Sequence, residues 1–168
     1  MREVEVVPYQ TSWEEDFRNE KTSIQKILPE KVNVYHIGST AIPNMFALPI
    51  IDLMIEVENI KKFDQYSDAL CTLGYEAMGE HCVEDRRLFK KCDDNCSFHI
   101  HIFAKGNPEI ERHIAFREFM IAHKEQAFEY IKLKKELAKK HPQNKEKYKI
   151  GREGFLDEID KKASNWKK

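Results

Sequence analysis

The sequence predicts an α+β fold, in which a mixed sheet packs against helices and the C-terminal third is helical. Three observations support this. Several short segments before residue 105 alternate apolar and polar residues, as half-buried strands do. Two segments in the same part have helical periodicity, and helical sequence dominates after residue 107. The 168 residues suffice for one core without disulfides or metals. We therefore expect a single domain over residues 1–168, with a core over about 1–105 and a helical part over about 107–168.

The elements of the first half are predicted from their periodicity and their boundaries. Ser12 and the glutamate three residues later have the pattern of a capping box, and the apolar face that follows predicts a helix to about Leu28. Residues 32–37 predict a strand that ends at a Gly-Ser-Thr turn. After an irregular loop, residues 49–57 predict a strongly apolar strand that Asp52 interrupts.

The second half continues with a helix, a hairpin and a long helical region. Asn59 is placed to cap the helix that follows it. Residues 86–91 and 97–104 predict a hairpin around the Asp-Asp-Asn sequence at 93–95. Proline is favoured at the first helical position, so the Asn-Pro pair at 107–108 marks a helix start. Helical sequence then continues to the end with a break near residue 141.

The overall charge gives little indication of a macromolecular partner. The formal net charge is −1, which favours neither nucleic acid nor a membrane surface. The first residues lack the pattern of a secretory signal, and no apolar run approaches the length of a membrane span. We expect a cytoplasmic protein with no membrane partner and no strong nucleic-acid signature; the sequence does not predict an oligomeric state.

Asp52 is the most informative residue. Its neighbours predict a buried strand, where a carboxylate is costly unless it is paired, hydrogen-bonded or bound to a cation. Glu56 shares that face of the strand but lies ~13 Å away, too far to share one metal ion. Two interpretations stay open: a functional carboxylate, or one that accepts backbone N–H groups at a strand end.

Two other segments carry polar groups that could join Asp52. Gly38 permits close backbone approach, and the hydroxyls of Ser39 and Thr40 can hold a phosphate; an ordinary turn is the alternative. In SFHIHIF, His99 and His101 share one strand face and lie roughly 6–7 Å apart, a spacing that suits a metal or a phosphate. The alternative is a half-buried strand whose polar face carries two histidines.

Further basic and sulfur-bearing residues are weaker candidates, for which exposed surface or an interhelical contact is the alternative. Cys92, Cys96, His99 and His101 are zinc-type ligands in a short span, but their spacing is not a standard two-plus-two arrangement. The basic candidates are Arg86 and Arg87 beside the hairpin, His113 and Arg117 on one helix face, and Lys149 and Arg152 in the C-terminal part.

Four motifs together resemble the GrpB family, a widespread bacterial group. In chain order they are VVPYQTSW, HIGSTAIPNMFALPIIDLMIEV, FHIHIF and ERHIAFREFM. The family is similar to the nucleotidyltransferase-like fold of the DNA polymerase β superfamily. That resemblance implies a Gly-Ser turn that binds triphosphate, followed by a strand whose aspartates, with a third carboxylate, hold two Mg²⁺ ions.

The sequence matches this implied site only in part. Gly38 and Ser39 stand at the Gly-Ser position and Asp52 at the first aspartate position. Met54 occupies the second aspartate position, and His99 or His101 is expected in place of the third carboxylate. Two-metal transfer needs several carboxylates around ions about 3.5–4 Å apart. One aspartate with two histidines suits Zn²⁺, Mn²⁺ or Fe²⁺ better than Mg²⁺.

The sequence therefore predicts a domain that binds a nucleotide or another phosphorylated small molecule, with nucleotidyl or phosphoryl transfer as the reaction to test. Asp52, His99 and His101 would hold a divalent metal (Mg²⁺, Mn²⁺ or Zn²⁺) or act as acid and base groups. A catalytically inactive binding or regulatory module and a zinc-stabilised structural domain are the alternatives. The expected phosphate contacts are Gly38, Ser39, Thr40, Arg87, His113 and Arg117.

Overall fold

The structure, a computed structural model, describes residues 3–28, 31–92 and 97–167. At its centre lies a mixed sheet with one parallel strand pair. The strands are β1 (Asn33–Ile37), β2 (Ile50–Val57), β3 (Glu76–Ala77), β4 (Arg87–Cys92) and β5 (Ser97–Ala104). Their order is β1-β2-β5-β4-β3. β2 and β5 run parallel, whereas the other neighbouring pairs are antiparallel.

Helices flank the sheet and make up the C-terminal third, so the predicted α+β class is confirmed. They are α1 (Ser12–Ile27), α2 (Ile60–Phe63), α3 (Ser67–Thr72), α4 (Pro108–Ala122), α5 (Lys124–Lys140) and α6 (Lys145–Trp166). None of the helices in the described part of the chain is long and apolar enough to cross a membrane.

The predicted helix starts are correct at two of three places. Asn59 accepts a hydrogen bond from the backbone of Lys62 at 3.0 Å, and Asn107 accepts one from the backbone of Glu109 at 2.9 Å. The capping box predicted at Ser12 is wrong. The preceding residue is already in helical conformation (φ −63°, ψ −24°) and makes no side-chain cap, so Ser12 lies inside the first turn.

One face of the sheet forms the main core with α1, α2 and α3. The odd-numbered residues of β2 and the even-numbered residues of β5 point to this face because side chains alternate along a strand. The main core includes Trp13, Ile24, Ile51, Leu53, Ile55, Phe63, Leu70, Phe98, Ile100 and Ile102.

The opposite face of the sheet meets the C-terminal helices. Met54 and Phe103 pack there against Ile110 of α4. The helices also pack on each other and on the loop that precedes β2, through Ile42, Met45, Phe116, Phe119, Met120, Tyr130 and Ile159. Because that loop follows the Gly-Ser turn, this packing fixes the turn between the sheet and the helices.

The predicted hairpin strands are confirmed as the antiparallel pair β4 and β5. The Asp-Asp-Asn sequence predicted to connect them, and Cys96, lie outside the described residues.

Candidate functional site

Three polar side chains meet on the helix-facing side of the sheet. His101 Nε2 lies 3.1 Å from Asp52 Oδ1, and His99 Nδ1 lies 3.6 Å from the same oxygen. Asp52 is in register with His99 across the parallel pair β2 and β5, so both rings reach one carboxylate. Within the described residues, these three form the group whose candidate metal-ligand atoms all lie within 4.8 Å of one another. The structure thus brings together the acid and the two histidines that the sequence singles out.

Asp52 is ionised at neutral pH. Burial alone would raise the pKa of its carboxyl group. Hydrogen bonds from His101 and His99 and the charge of both rings outweigh that effect and hold the pKa well below its usual value. The side chain keeps 28% of its surface exposed and lines the cavity described below.

Gly38 lets the Gly-Ser turn lie directly against Asp52. The turn follows Ile37, the register partner of Asp52 in β1. Gly38 has a φ of +73°, and a Cβ atom there would lie 2.8 Å from Asp52 Oδ2. Only glycine adopts this conformation without strain and leaves room for the carboxylate.

A cavity of about 450 Å³ opens beside this turn, between the sheet and α4, α5 and α6. The triad of Asp52, His99 and His101, the Gly38-Ser39 turn and His113 line it. Its lining also carries six lysines and arginines against two carboxylates, Asp52 and Asp160, which is a formal charge of +4 when Lys134 is protonated and the histidines are neutral. The whole chain has a net charge of −1, so positive charge is concentrated at this cavity. The six cationic residues are Arg86, Lys90, Arg112, Lys134, Lys149 and Arg152.

Lys134 is the most buried of these cations, with only 1% of its surface exposed. Its Nζ donates to Ser39 Oγ at 3.1 Å and to the carbonyl oxygen of Phe46, and lies 4.3 Å from the centre of the Tyr130 ring. In the described part of the chain no carboxylate pairs with it, and Arg152 is the charged group that acts on it. Burial, followed by the charge of Arg152, lowers the pKa of Lys134 to about 7.

Three buried side-chain atoms lack a hydrogen-bond partner among the described residues: Tyr148 Oη, Arg152 Nε and Asp160 Oδ1. All three residues line the cavity. Buried polar atoms are normally hydrogen-bonded in folded proteins. These three polar groups beside the cavity are therefore not satisfied by the described residues.

Arg86 contacts the His101 ring at the nitrogen that does not face Asp52. Its Nη1 lies 3.5 Å from His101 Nδ1, and its other nitrogens donate to the carbonyl oxygens of Glu80 and His81 at 3.1 and 2.5 Å. A guanidinium group can only donate, so whenever the His101 ring is neutral this contact favours the tautomer that carries its hydrogen on Nε2 and donates it to Asp52.

His113 lies next to the triad, with its ring centre 5.8 Å from that of His101. Burial and the charge of the neighbouring Arg112 lower the pKa of His113 to about 3. It therefore lines the cavity as a neutral ring at physiological pH.

Three residues predicted to contact phosphate are not among those that line the cavity. The Arg87 side chain points to the other face of β4 and pairs with Asp64 at 2.7 Å. The hydroxyl of Thr40 lies 3.0 Å from His36 Nε2 and is buried. Arg117 donates to the backbone carbonyl of His36 at 2.8 Å and so supports β1.

Three of the cavity cations, Lys90, Arg112 and Lys134, were not predicted from the sequence. Lys149 and Arg152 were predicted only as further basic candidates, with solvated surface as the alternative. Lys134 had a detectable signal. It lies four residues after Tyr130 and seven after Ala127, on the apolar stripe of α5. A lysine on such a stripe is a candidate for a buried, functional amine.

The predicted zinc cluster cannot be placed as a whole, because Cys96 lies outside the described residues. His99 and His101 turn towards Asp52. Cys92 is exposed and close to Ser97. The zinc-stabilised domain stays a prediction.

The model of the GrpB protein family matches residues 3–162. The chain belongs to the GrpB family. Among curated relatives, UPF0157 protein YqkA of Bacillus subtilis is 40% identical over 168 residues, covering 99% of this chain but 49% of YqkA. Glutamate-rich protein GrpB of Alkalihalophilus pseudofirmus is 30% identical and covers 94% of both chains. This GrpB protein therefore spans about half of one relative and nearly all of the other.

A solved structure of another GrpB protein agrees with this family assignment. The crystal structure of conserved protein GrpB from Enterococcus faecalis is 38% identical, covers 96% of this GrpB chain and 99% of its own, and superposes with a TM-score of 0.91. The Cid1 poly(U) polymerase is 14% identical over 73% of this chain and 43% of its own, with a TM-score of 0.46. That likeness is too distant to support a function.

Proposed function

We propose that this GrpB protein binds a nucleotide or another phosphorylated small molecule in the cavity between the sheet and the C-terminal helices. The observation that supports this most directly is the +4 formal charge of the lining. Phosphate oxygens are strong acceptors for the N–H groups of arginine and lysine. The volume of about 450 Å³ lies within the range of about 300–1,000 Å³ that is typical of small-molecule sites. A cytoplasmic location would fit such a ligand.

In this proposal, Asp52, His99 and His101 hold one divalent ion. One carboxylate oxygen and two imidazole nitrogens form a donor set that suits Mn²⁺, Zn²⁺ or Fe²⁺ better than Mg²⁺. An ion there would offset the repulsion between the Asp52 carboxylate and a phosphate group. When bound, it would supply Lewis-acid polarisation of a phosphoryl oxygen. The reaction class to test is phosphoryl or nucleotidyl transfer.

The second candidate is a binding module of the same fold that needs no metal and performs no reaction. Two observations favour it. Met54, fully buried, stands where a second metal-binding aspartate would be expected. Arg86 favours the His101 tautomer whose Nε2 carries a hydrogen, which leaves no lone pair there for a metal. A metal at Nε2 would require the guanidinium group to move away from the ring.

Thermal unfolding with ATP tests the proposal and separates its two forms. ATP with Mn²⁺ should raise the Tm by several degrees, since a ligand at about 100 times its Kd stabilises the folded state by about 2.7 kcal/mol. The shift should disappear in Asp52→Ala and persist in Asp64→Ala, which removes a carboxylate outside the cavity.

Three outcomes discriminate. A shift that requires both Mn²⁺ and Asp52 supports the metal-dependent form. A shift that persists in EDTA supports the binding module. Unchanged melting of the wild type with ATP, other nucleotides, coenzyme A precursors and each divalent ion would contradict the proposal.

A further inference from the structure

We propose that Ser39, Lys134, Tyr148 and Arg152 form an anion-binding subsite on the helical side of the cavity, separate from the triad and independent of metal. It would hold a phosphate group of the ligand through side-chain donors alone. This inference rests on the proposed function, because it assigns one part of that ligand to one set of residues.

The placement of Lys134 is the first argument. A buried ammonium group is costly unless a charge or several hydrogen bonds compensate it. Here the compensation within the described residues comes from one hydroxyl, one carbonyl oxygen and an aromatic ring. A dianionic ligand would supply the missing countercharge, and the amine already lies on the cavity wall.

The unpartnered atoms of α6 are the second, independent argument. Arg152 is held in place, because its Nη1 contacts the Tyr130 hydroxyl at 3.1 Å and its guanidinium carbon lies 4.7 Å from the centre of the Tyr148 ring. Its Nε and the Tyr148 hydroxyl are nevertheless buried without a partner. Both can donate, as can Lys134 Nζ and the Ser39 hydroxyl. Four donors in residues lining one wall suit a group with several acceptor oxygens.

The remaining unpartnered atom, Asp160 Oδ1, marks the opposite limit of this subsite. Asp160 lies eight residues after Arg152 on α6, which is about 12 Å along the helix. Its carboxylate pairs with Arg112 at 3.0 Å and would repel a phosphate. The anion is therefore assigned to the Arg152 end of α6.

The subsite and the triad are contiguous through the Gly-Ser turn. The space that a Cβ atom on Gly38 would occupy is taken by Asp52, and Ser39, the next residue, is hydrogen-bonded to Lys134. Neighbouring Cα atoms are about 3.8 Å apart, so a diphosphate can extend from the subsite towards the triad. Inorganic pyrophosphate is therefore a suitable probe that carries no base or sugar.

Proton uptake is expected when the subsite binds an anion. The groups that face Lys134 are Ser39, the Phe46 carbonyl, the Tyr130 ring and the cationic Arg152. Since burial and Arg152 disfavour the ammonium form in the free protein, a phosphate beside it would restore the proton. Affinity should therefore fall as the pH rises above 7.

Calorimetric titration of the whole protein with pyrophosphate in EDTA tests the subsite. We expect Lys134→Met and Arg152→Gln each to weaken binding about tenfold or more, and Ser39→Ala severalfold. Lys132→Met is the matched control, since Lys132 lies on the same helix, outside the cavity lining, and pairs with Glu129; it should bind like the wild type. The wild type, but not Lys134→Met, should take up protons on binding at pH 8, which two buffers of different ionisation enthalpy reveal.

The outcomes separate this inference from the proposed function. Equal affinity of the wild type, Lys134→Met and Arg152→Gln would overturn the subsite and leave the proposed function standing. Binding that requires Mn²⁺ and Asp52 but none of the subsite residues would also overturn the subsite and leave the proposed function standing. If pyrophosphate and ATP both fail to bind with or without Mn²⁺, both proposals fall. Should Lys134→Met fail to fold, Arg152→Gln and Ser39→Ala provide the same test.

Discussion

Gly38 and Asp52 show at the level of single residues how the backbone shapes the proposed site. The carboxylate of Asp52 accepts two imidazole contacts on one side and faces the turn on the other. A larger residue than glycine would have to displace the carboxylate or move the turn. The geometry of the triad therefore depends on Gly38, a residue that has no side chain.

Gly38→Ala should destabilise the protein and reduce its protection by ATP with Mn²⁺. The φ of +73° strains an alanine, and its Cβ would lie 2.8 Å from Asp52 Oδ2. We expect a loss of about 2 kcal/mol or more in the free energy of unfolding, measured in urea. Gly106→Ala is the control, because Gly106 has a φ of +85° but open space around its Cβ position. It should show the backbone cost alone and keep the ligand protection; an equal loss of protection in both variants would contradict this account.

At the scale of elements, the alternation of side chains along β4 determines which of two neighbouring arginines reaches the cavity. Arg86, just before β4, lies on the cavity side and contacts His101, whereas the side chain of Arg87 leaves the opposite face and pairs with Asp64. From the sequence, both arginines were basic candidates, but only Arg87 was placed among the expected phosphate contacts. The alternation of the strand distinguishes them, and that assignment requires the strand register.

Alanine substitutions should separate the two arginines. Arg86→Ala removes a cation from the cavity and a contact to His101, so it should weaken ATP binding about tenfold. Arg87→Ala removes a partly exposed ion pair, which is worth about 1 kcal/mol or less, and should leave binding unchanged. Binding constants from titration and the free energy of unfolding check both statements. Weaker binding in Arg87→Ala alone would reverse the assignment.

The elements themselves were largely predictable, but their partners were not. The patterns of β2 and β5 predicted both strands and the faces of Asp52, His99 and His101. Their parallel pairing, which sets Asp52 opposite His99, depends on contacts between distant segments. The helical sequence after residue 107 was also predicted, whereas the packing of α5 and α6 that brings Lys134 and Arg152 to the cavity was not. Lysine and arginine are usually exposed, so residue type alone would place Lys134 and Arg152 at the surface.

At the scale of the whole molecule, the cavity lies where two separately packed parts meet. The main core joins the sheet to α1, α2 and α3, and a second apolar cluster joins α4, α5 and α6 to one another. The triad belongs to the sheet, and Lys134 belongs to the helical part. A ligand that contacts both would bind the folded state only, so its binding should stabilise the entire domain.

Lys134→Met should change how the stability of the ligand-free protein depends on pH. The pKa of Lys134 is about 7 in the folded protein, against its ordinary 10.5 when unfolded. Between these values the unfolded chain binds one more proton, so this lysine makes stability rise with pH, by at most about 1.4 kcal/mol per unit. Below pH 7 the folded state carries the full cost of the buried ammonium.

The free energy of unfolding of the wild type relative to Lys134→Met should therefore increase from pH 7 towards pH 9 and be flat between pH 6 and 6.5. Urea unfolding of both proteins at constant ionic strength measures this difference, in which the groups they share cancel. Lys132→Met, which alters an exposed lysine of the same helix, should show no such slope. A pH-independent difference would mean that Lys134 keeps an ordinary proton affinity. The Lys134 ammonium group would then be stabilised by groups of the protein itself, and no anionic ligand would be needed at that wall of the cavity.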